Sequence, residues 1–157
     1  MPFDADQFKK TMSQFASGVS VVTAEEGNDL YGITVSAFSS LSLDPPLVLI
    51  CIDKSVKSHD GIASAGHFAV NILSADQEEV SNRFASRAED KFAGIETTKG
   101  SLGDPLITGA VATMQCRLHS TLDGGDHTIF VGQVVESHVA DAWPLLYFRG
   151  GYRRLSQ

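Results

Sequence analysis

Apolar residues recur along this chain in short alternating or continuous runs, and most of these runs predict β-strands. The clearest predicted strands span residues 19–24, 31–38, 47–52 and 67–73. Two longer runs, 110–121 and 128–140, flank the sequence LDGGDH, whose glycines favour a tight hairpin turn. The final apolar segment, PLLYFRGGYRRL, predicts a last strand pair or one bent strand.

Helical spacing is clearest at the start of the chain. Phe8, Met12 and Phe15 recur at helical intervals and predict a first helix. Asp4 precedes this apolar series and can cap the helix, and Gly18 predicts its end.

Two further short helices are expected in the middle of the chain. One lies within residues 54–66, after a loop. Ser74 and Gln77 have the spacing of a capping box and predict another helix that runs to about Ser86. Residues 87–109 are the least regular part of the sequence, and we expect them to lie outside the sheet.

Strands therefore dominate, short turns connect many of them, and strands do not alternate strictly with helices. This pattern predicts a mainly β fold, an antiparallel barrel with a few peripheral helices, because closure of a sheet removes its exposed edges. Neither an internal repeat nor a linker is visible, so residues 1–157 are expected to form a single domain.

Charge and composition exclude several classes of partner. Twelve basic and nineteen acidic residues give a net charge of −7, which disfavours nucleic-acid binding. No apolar run is long enough to cross a bilayer, and the first residues form no apolar signal core, so we expect a cytoplasmic protein without a membrane partner. Cys51 and Cys116 are isolated in apolar strands and are expected to be buried thiols.

The common catalytic motifs do not occur in this sequence. It contains no G-x-G-x-x-G after a strand, no P-loop, no G-x-S-x-G, no H-E-x-x-H and no C-x-x-C. Five scattered histidines show no ligand spacing, so no metal is expected. Any NAD(P)H binding has to work without a Rossmann fingerprint.

A hydroxyl-rich stretch is the most unusual feature. Residues 34–42 hold five hydroxyl side chains, where small groups let a flat ligand approach the backbone. Lys54, Ser55, Lys57 and Ser58 follow the next strand near a predicted helix start, a setting that favours an anion. Together they suggest an aromatic nucleotide, although a solvated strand face with solvated lysines explains the same composition.

Several segments occur together in an order that resembles the flavin reductase family. They are FASGVSVVTA, GITVSAFSSLSLDPPLVLICID, NRFAS with DKFAG, GDHTIFVGQV and PLLYFRGGYRRL, and they extend over almost the whole chain. The family comprises reductase components that supply reduced flavin to two-component monooxygenases. The resemblance implies a Greek-key-like split barrel, a homodimer, a possible partner monooxygenase, and reduction of FMN or FAD by NADH or NADPH.

The resemblance also implies site residues. The implied cofactor-binding positions are Thr34, Ser36, Ala37, Phe38, Ser39, Ser40, Asp53, Lys54, Ser55, Ser58, Arg83, Phe84, Lys91, Phe92 and Tyr152. His127, in the GDH segment, is implied near both the flavin and the nicotinamide and is the candidate catalytic residue. Each position has a plainer alternative: a turn histidine at 127, core phenylalanines, or an ion pair between Arg83 and Glu79.

Hydride transfer from nicotinamide C4 to flavin N5 needs no acid, base or nucleophile, which agrees with the missing catalytic motifs. Two other functions compete with a reductase. One is a protein that holds FMN tightly as a sensor or store. The other is an oxidase of the pyridoxamine-phosphate type, which the GDH and DPP segments fit poorly.

Overall fold

The computed structural model describes residues 2–156. Within this range the helices are α1 (Ala5–Met12), α2 (Lys57–Ala65) and α3 (Glu78–Ala85). The strands are β1 (Ser17–Gly18), β2 (Ser20–Glu26), β3 (Asp29–Val35), β4 (Phe38–Ser42), β5 (Leu47–Asp53), β6 (His67–Ile72), β7 (Thr97–Lys99), β8 (Pro105–Ile107), β9 (Ala112–Gly124), β10 (His127–Val139), β11 (Leu146–Phe148) and β12 (Gly151–Arg153).

The main sheet has seven antiparallel strands in the order β3-β2-β6-β9-β10-β5-β4. Its edge strands, β3 and β4, do not pair with each other, so the sheet stays open along one seam. The predicted mainly β fold, an antiparallel split barrel with few peripheral helices, is confirmed. None of the helices in residues 2–156 has the length and apolarity needed to cross a membrane.

Both faces of β2 are buried, which explains its almost continuous apolar sequence. Val22 joins a core cluster inside the barrel with Phe68 and Phe130. Val21 points the other way, into a second cluster with Leu73 and Phe84. A strand covered on both sides loses the alternation of a half-buried strand.

The hydroxyl-rich stretch is divided between the two edge strands. The sequence pattern predicts one strand through Phe38, but β3 ends at Val35 and a new strand begins at Phe38. The link turns sharply, since Phe38 N donates to Ser36 O at 3.0 Å. Cys51 N then donates to Ala37 O at 3.1 Å and ties the link to β5.

The helix boundaries follow the predicted caps in part. The Asp4 side chain accepts from the N–H groups of Asp6 and Gln7 at 3.0 Å, as expected for an N-cap. The helix stops at Met12, well before Gly18, which belongs to β1. No residue of α1 is buried.

The predicted capping box of α3 is wrong in its detail. Gln77 Oε1 accepts from Ser74 N at 3.0 Å, but α3 begins only at Glu78, with Gln77 as its N-cap. The contact therefore closes a turn ahead of the helix. The predicted end near Ser86 is confirmed, since Ser86 is the C-cap.

The irregular segment 87–109 lies outside the main sheet, as predicted, and its strands β7 and β8 pair only with each other. A buried polar group fastens it to the barrel. The Asp104 side chain, which has no solvent exposure, accepts from Glu25 N at 2.9 Å, His67 Nδ1 at 2.7 Å and Gln115 Nε2 at 2.5 Å. We call Glu25, His67, Asp104 and Gln115 the anchor network.

Gly32, in β3, marks a close approach between the sheet and α3. A methyl group at this position would lie about 2.5 Å from the Phe84 ring. The Gly32 carbonyl also accepts from Ser58 Oγ at 3.3 Å and from Lys91 Nζ at 3.1 Å. Three separate segments thus pack on one residue without a side chain.

Candidate functional site

Three chain connections meet at one end of the sheet. Asp53 at the end of β5 pairs in register with His127 at the start of β10. Lys54 N donates to Asp126 O at 2.9 Å, which joins the β5–α2 loop to the β9–β10 turn. The link at Ser36 and Ala37 lies against the same part of β5. We call residues 36–37, 53–55 and 126–127 the sheet mouth.

The β5–α2 loop is shaped by an aspartate. Asp53 Oδ1 accepts from Ser55 N at 2.8 Å and from Ser55 Oγ at 2.7 Å. These bonds hold the pKa of Asp53 below its ordinary value, with smaller contributions from His127 and His59. Asp53 therefore remains ionised, and its acceptor capacity serves the loop itself.

Lys54 anchors the same loop to the hairpin. Its Nζ forms an ion pair with Asp123, and this bond lowers the pKa of that carboxyl. The predicted hairpin is confirmed, because β9 and β10 are joined by Gly125 and Asp126, with Gly125 at φ 82°. Glycine suits this left-handed position.

His127 combines exposure with a fixed orientation. Its side chain is 42% exposed, and Nδ1 lies 2.7 Å from Asp126 Oδ1. A carboxylate only accepts, so Nδ1 carries a proton and Nε2 faces outward as the free ring nitrogen. Such an imidazole can bond a ligand at the mouth in either protonation state.

The edge strand β4 runs away from this mouth along β5 and carries exposed hydroxyls, with Ser39 opposite Leu49 and Ser40 opposite Val48. Ser39 and Ser40 are both exposed, and Ser39 Oγ donates to Ser40 O at 2.8 Å. Phe38 is half-buried and packs on the barrel core. In residues 2–156, no protein group bonds the hydroxyl of Ser36 or Ser40, so both can serve a ligand.

A second set of predicted residues gathers around α3, and their polar groups are already bonded. Thr34 Oγ1 donates to Ser81 O at 2.7 Å. The Tyr152 hydroxyl lies 2.7 Å from Ser81 Oγ and donates to Asn82 Oδ1 at 2.9 Å. Arg83 Nε donates to the Lys91 carbonyl at 2.9 Å.

The remaining members of this set lie deeper. Lys91 Nζ donates to the carbonyls of Gly32 and Phe84 at 3.1 Å, and burial lowers its pKa. Phe84 is fully buried and meets Phe92 edge-on, with ring centroids 4.9 Å apart. Ser58 is buried against Gly32. The full burial of Phe84 in a core cluster fits the plainer alternative of a core phenylalanine.

One histidine near the mouth was not anticipated from the sequence. His59 Nε2 lies 2.7 Å from Thr128 Oγ1, next to His127. The two partners are 69 residues apart, so no local pattern in the sequence points to their contact.

Two surface depressions lie elsewhere and contain none of the predicted site residues. One, of about 490 Å³, is lined by Gln7, Lys10, Thr11, Gln14 and Arg149. The other, of about 700 Å³, includes Asp76, Trp143 and Arg154 among its walls. The donors of the sheet mouth lie outside both depressions. Residues 2–156 contain no cluster of three or more potential metal ligands.

The architecture is that of a split-barrel protein with a donor-rich open end. The model of the "Flavin reductase like domain" family matches residues 12–156. The chain therefore belongs to the flavin reductase family, and the resemblance noted from the sequence is confirmed.

Curated relatives cover nearly the whole chain. The reductase subunit HsaB of a flavin-dependent monooxygenase from Rhodococcus jostii is 41% identical over 95% of this chain and 77% of its own length. The reductase component of 4-hydroxyphenylacetate 3-monooxygenase from Thermus thermophilus is 42% identical, with 96% of each chain covered. Among solved structures, the NADH:FAD oxidoreductase SgcE6 from Streptomyces globisporus superposes with a TM-score of 0.95 at 37% identity, covering 100% of this chain and 96% of that one.

Proposed function

We propose that this protein is an NAD(P)H-dependent flavin reductase that takes FMN or FAD and delivers reduced flavin to a partner monooxygenase. The observation that carries the proposal is the sheet mouth, where Ser36, Asp53, Lys54 and His127 converge from three connections. Family membership over residues 12–156 supports the same function. Relatives named as monooxygenase reductase components support the choice of partner.

The residues at the mouth fit a flavin nucleotide. The N-cap of α2 is Val56, which has no side-chain acceptor, and His59 N donates to Val56 O. The N–H groups of Lys57 and Ser58 therefore stay available to a phosphate. Lys57 opens this helix and adds a positive charge. The hydroxyls of Ser36 and Ser40 and the small side chain of Ala37 suit the edge and face of a flat ring.

When bound together, a reduced nicotinamide gives a hydride that a flavin accepts. The task of the chain is to hold both rings in reacting geometry and to limit water. We assign ring-edge hydrogen bonds to Ser36 and the β4 serines, phosphate binding to the β5–α2 loop, and orientation of the nicotinamide to His127. The α3 set, including Phe92 and Tyr152, forms the supporting wall.

We further propose that the enzyme is a homodimer. Helix α1 buries no residue of its own, and it exposes Phe8 by 54% and Met12 by 53%. Phe15 just beyond it is 69% exposed. A second copy that covers this apolar face would remove it from water. Light scattering at micromolar concentration would measure the mass, and a value near 16.8 kDa would contradict the dimer.

Location in the cytoplasm is part of the same proposal. Cys51 and Cys116 are unpaired, and burial raises the pKa of Cys116 to about 12, with a smaller contribution from Asp104. Unpaired thiols suit a reducing compartment.

The deciding experiment is anaerobic mixing of the purified protein with FMN or FAD and with NADH or NADPH. We expect the absorbance of the oxidised flavin to bleach with at least one pair, and the reduced flavin to pass through an ultrafiltration membrane. Bleaching of flavin that never leaves the protein would favour a tight FMN-binding sensor or store. No bleaching with any pair would refute the reductase.

A further inference from the structure

His59, at the end of the barrel, bonds the residue that follows His127 in the chain. His59 lies in the first turn of α2, and its side chain is only 16% exposed. Its Nε2 is 2.7 Å from Thr128 Oγ1, and its ring meets Phe130 edge-on with centroids 5.3 Å apart. The imidazole thus occupies the space between α2 and the start of β10.

We propose that His59 is a positioning residue, which acts through Thr128 to orient His127 toward the nicotinamide. The inference rests on the proposed reductase function. It assigns His59 no contact with either nucleotide.

The alternation of β10 explains how one bond can control its neighbour. Successive side chains of a strand point to opposite faces. Thr128 pairs with Ile52, which is 1% exposed, and therefore faces the barrel interior. His127 pairs with Asp53 and faces the opposite side. Fixing Thr128 inward fixes His127 outward beside Asp53.

The bond between His59 and Thr128 lies at the start of β10, where it can keep the end of the strand from opening. His127 is the first residue of β10 and follows a two-residue turn, where strand ends open most easily. Thr128 is the next residue, so the bond to His59 holds the strand at its weakest point. The same bond ties β10 to α2, and thereby to the loop that carries Lys54 and Ser55.

The bond persists whether or not the imidazole is charged. Asp60 Oδ1 lies 2.8 Å from His59 Nδ1, and a carboxylate can only accept, so Nδ1 holds a proton. In the neutral ring, Nε2 accepts from the Thr128 hydroxyl. In the charged ring, Nε2 donates to the oxygen of the same hydroxyl, which both donates and accepts.

The test compares variants that break or keep this bond. His59→Leu and Thr128→Val remove it, whereas His59→Gln and Thr128→Ser keep a group that can replace it. We expect the first pair to lower kcat/KM for NADH by about three- to tenfold, the effect of one lost hydrogen bond, and the second pair to retain most activity. The dissociation constant of flavin should change less than about twofold in all four.

A double-mutant cycle separates positioning from general support of the fold. In a His127→Ala background, His59→Leu should cause little further loss, because its effect passes through His127. Equal fold losses in both backgrounds, or a matched loss of flavin affinity, would overturn the inference. His138→Gln, which changes an exposed histidine bonded to Glu136, serves as the control and should behave as wild type.

A readout without activity keeps the inference testable if the reductase proposal fails. Nitrogen-15 NMR of the His127 ring should show one tautomer, protonated at Nδ1, in wild type and in His59→Gln. We expect His59→Leu to mix both tautomers as His127 loses its fixed contact with Asp126. An inactive wild type with this NMR pattern would refute only the function, whereas an unchanged His127 ring in His59→Leu would refute the positioning role.

Discussion

His67 and His127 each place Nδ1 2.7 Å from an aspartate, yet their surroundings differ in every other respect. Asp104, the partner of His67, is fully buried and bonded by three donors from distant segments. Asp126, the partner of His127, is 91% exposed. A histidine–aspartate pair therefore contributes to stability in the anchor network. At the sheet mouth, the same kind of pair leaves one ring nitrogen of His127 free.

The contrast shows how a structural pair differs from a candidate functional pair. The difference lies in the burial of the aspartate and in the number of donors bonded to it, and not in residue type. A buried carboxylate whose partners are removed carries an uncompensated charge, whereas water replaces a lost partner at the surface. We therefore expect substitutions in the anchor network to act on folding. Substitutions at the mouth should act on ligands.

The largest expected effect is that of Asp104→Asn, which disrupts the anchor network, the buried region of the comparison. The amide cannot accept from all three donors, so the free energy of unfolding should fall by about 3–5 kcal/mol. Urea denaturation followed by circular dichroism measures it. Asp126→Asn is the matched control and should change stability by less than about 0.5 kcal/mol. Similar losses in the two variants would remove the distinction.

Ser39 and Ser40 of β4 test the exposed region of the comparison, where substitutions should affect ligand binding. Ser39→Ala combined with Ser40→Ala should weaken flavin binding roughly tenfold to a hundredfold, since each hydrogen bond to the ring edge contributes about 0.5–1.5 kcal/mol. Flavin fluorescence titration gives the affinity, and a thermal melt should match wild type. If affinity is unchanged, these serines form only a solvated strand face.

His127→Ala examines the free ring nitrogen itself. We expect kcat/KM for NADH to fall roughly tenfold to a hundredfold, the effect of about 1–3 kcal/mol of lost positioning. The dissociation constant of flavin should change far less. A collapse of flavin affinity with normal hydride transfer in the saturated complex would make His127 a flavin-holding residue instead.

The smallest effect is expected at Glu136, an acid of β10 that bonds Ser101 in the segment 87–109. It accepts from Ser101 N at 2.7 Å and contacts His138 Nε2 at 2.6 Å. Hydrogen bonds from the Ser101 side chain, from His138 and from the Ser101 N–H lower its pKa to about 2. Its contribution is therefore fully present above the unfolded pKa near 4.5 and is lost as pH falls toward 2.

The measurement at this position is the stability difference between wild type and Glu136→Gln across pH. Because a quarter of the Glu136 side chain remains exposed to water, which weakens its bonds, the difference should stay below about 1 kcal/mol at neutral pH. It should shrink as pH falls from 4.5 toward 2. A difference that is constant over this range would show that ionisation of Glu136 does not contribute.

Local patterns predicted the strands well and the long-range contacts poorly. Alternation and β-branched runs located β2, β5 and β6 within a few residues, because side-chain burial follows the period of a strand. The same pattern misplaced the end of β3, since nothing local distinguishes a strand from a turn at Ser36 and Ala37. The short strands β7 and β8 lay in a segment without visible periodicity.

The residues of the candidate site were also predicted better than the long-range contacts. The resemblance to the flavin reductase family pointed to residues that the structure does bring together, including the register pair of Asp53 and His127. The anchor network was not predicted, because Asp104 meets His67 across 37 residues and Glu25 across 79. Such partners become visible only once the sheet order is known.

Gly32 limits which positions can be substituted when this protein is redesigned. Positions such as Ser36 and Ser40 project from an exposed rim and should accept randomised libraries aimed at a different nucleotide preference. Any side chain at Gly32 would displace the Phe84 ring, and with it the helix that carries Arg83 and Phe84. A useful library therefore varies the rim and keeps this glycine constant.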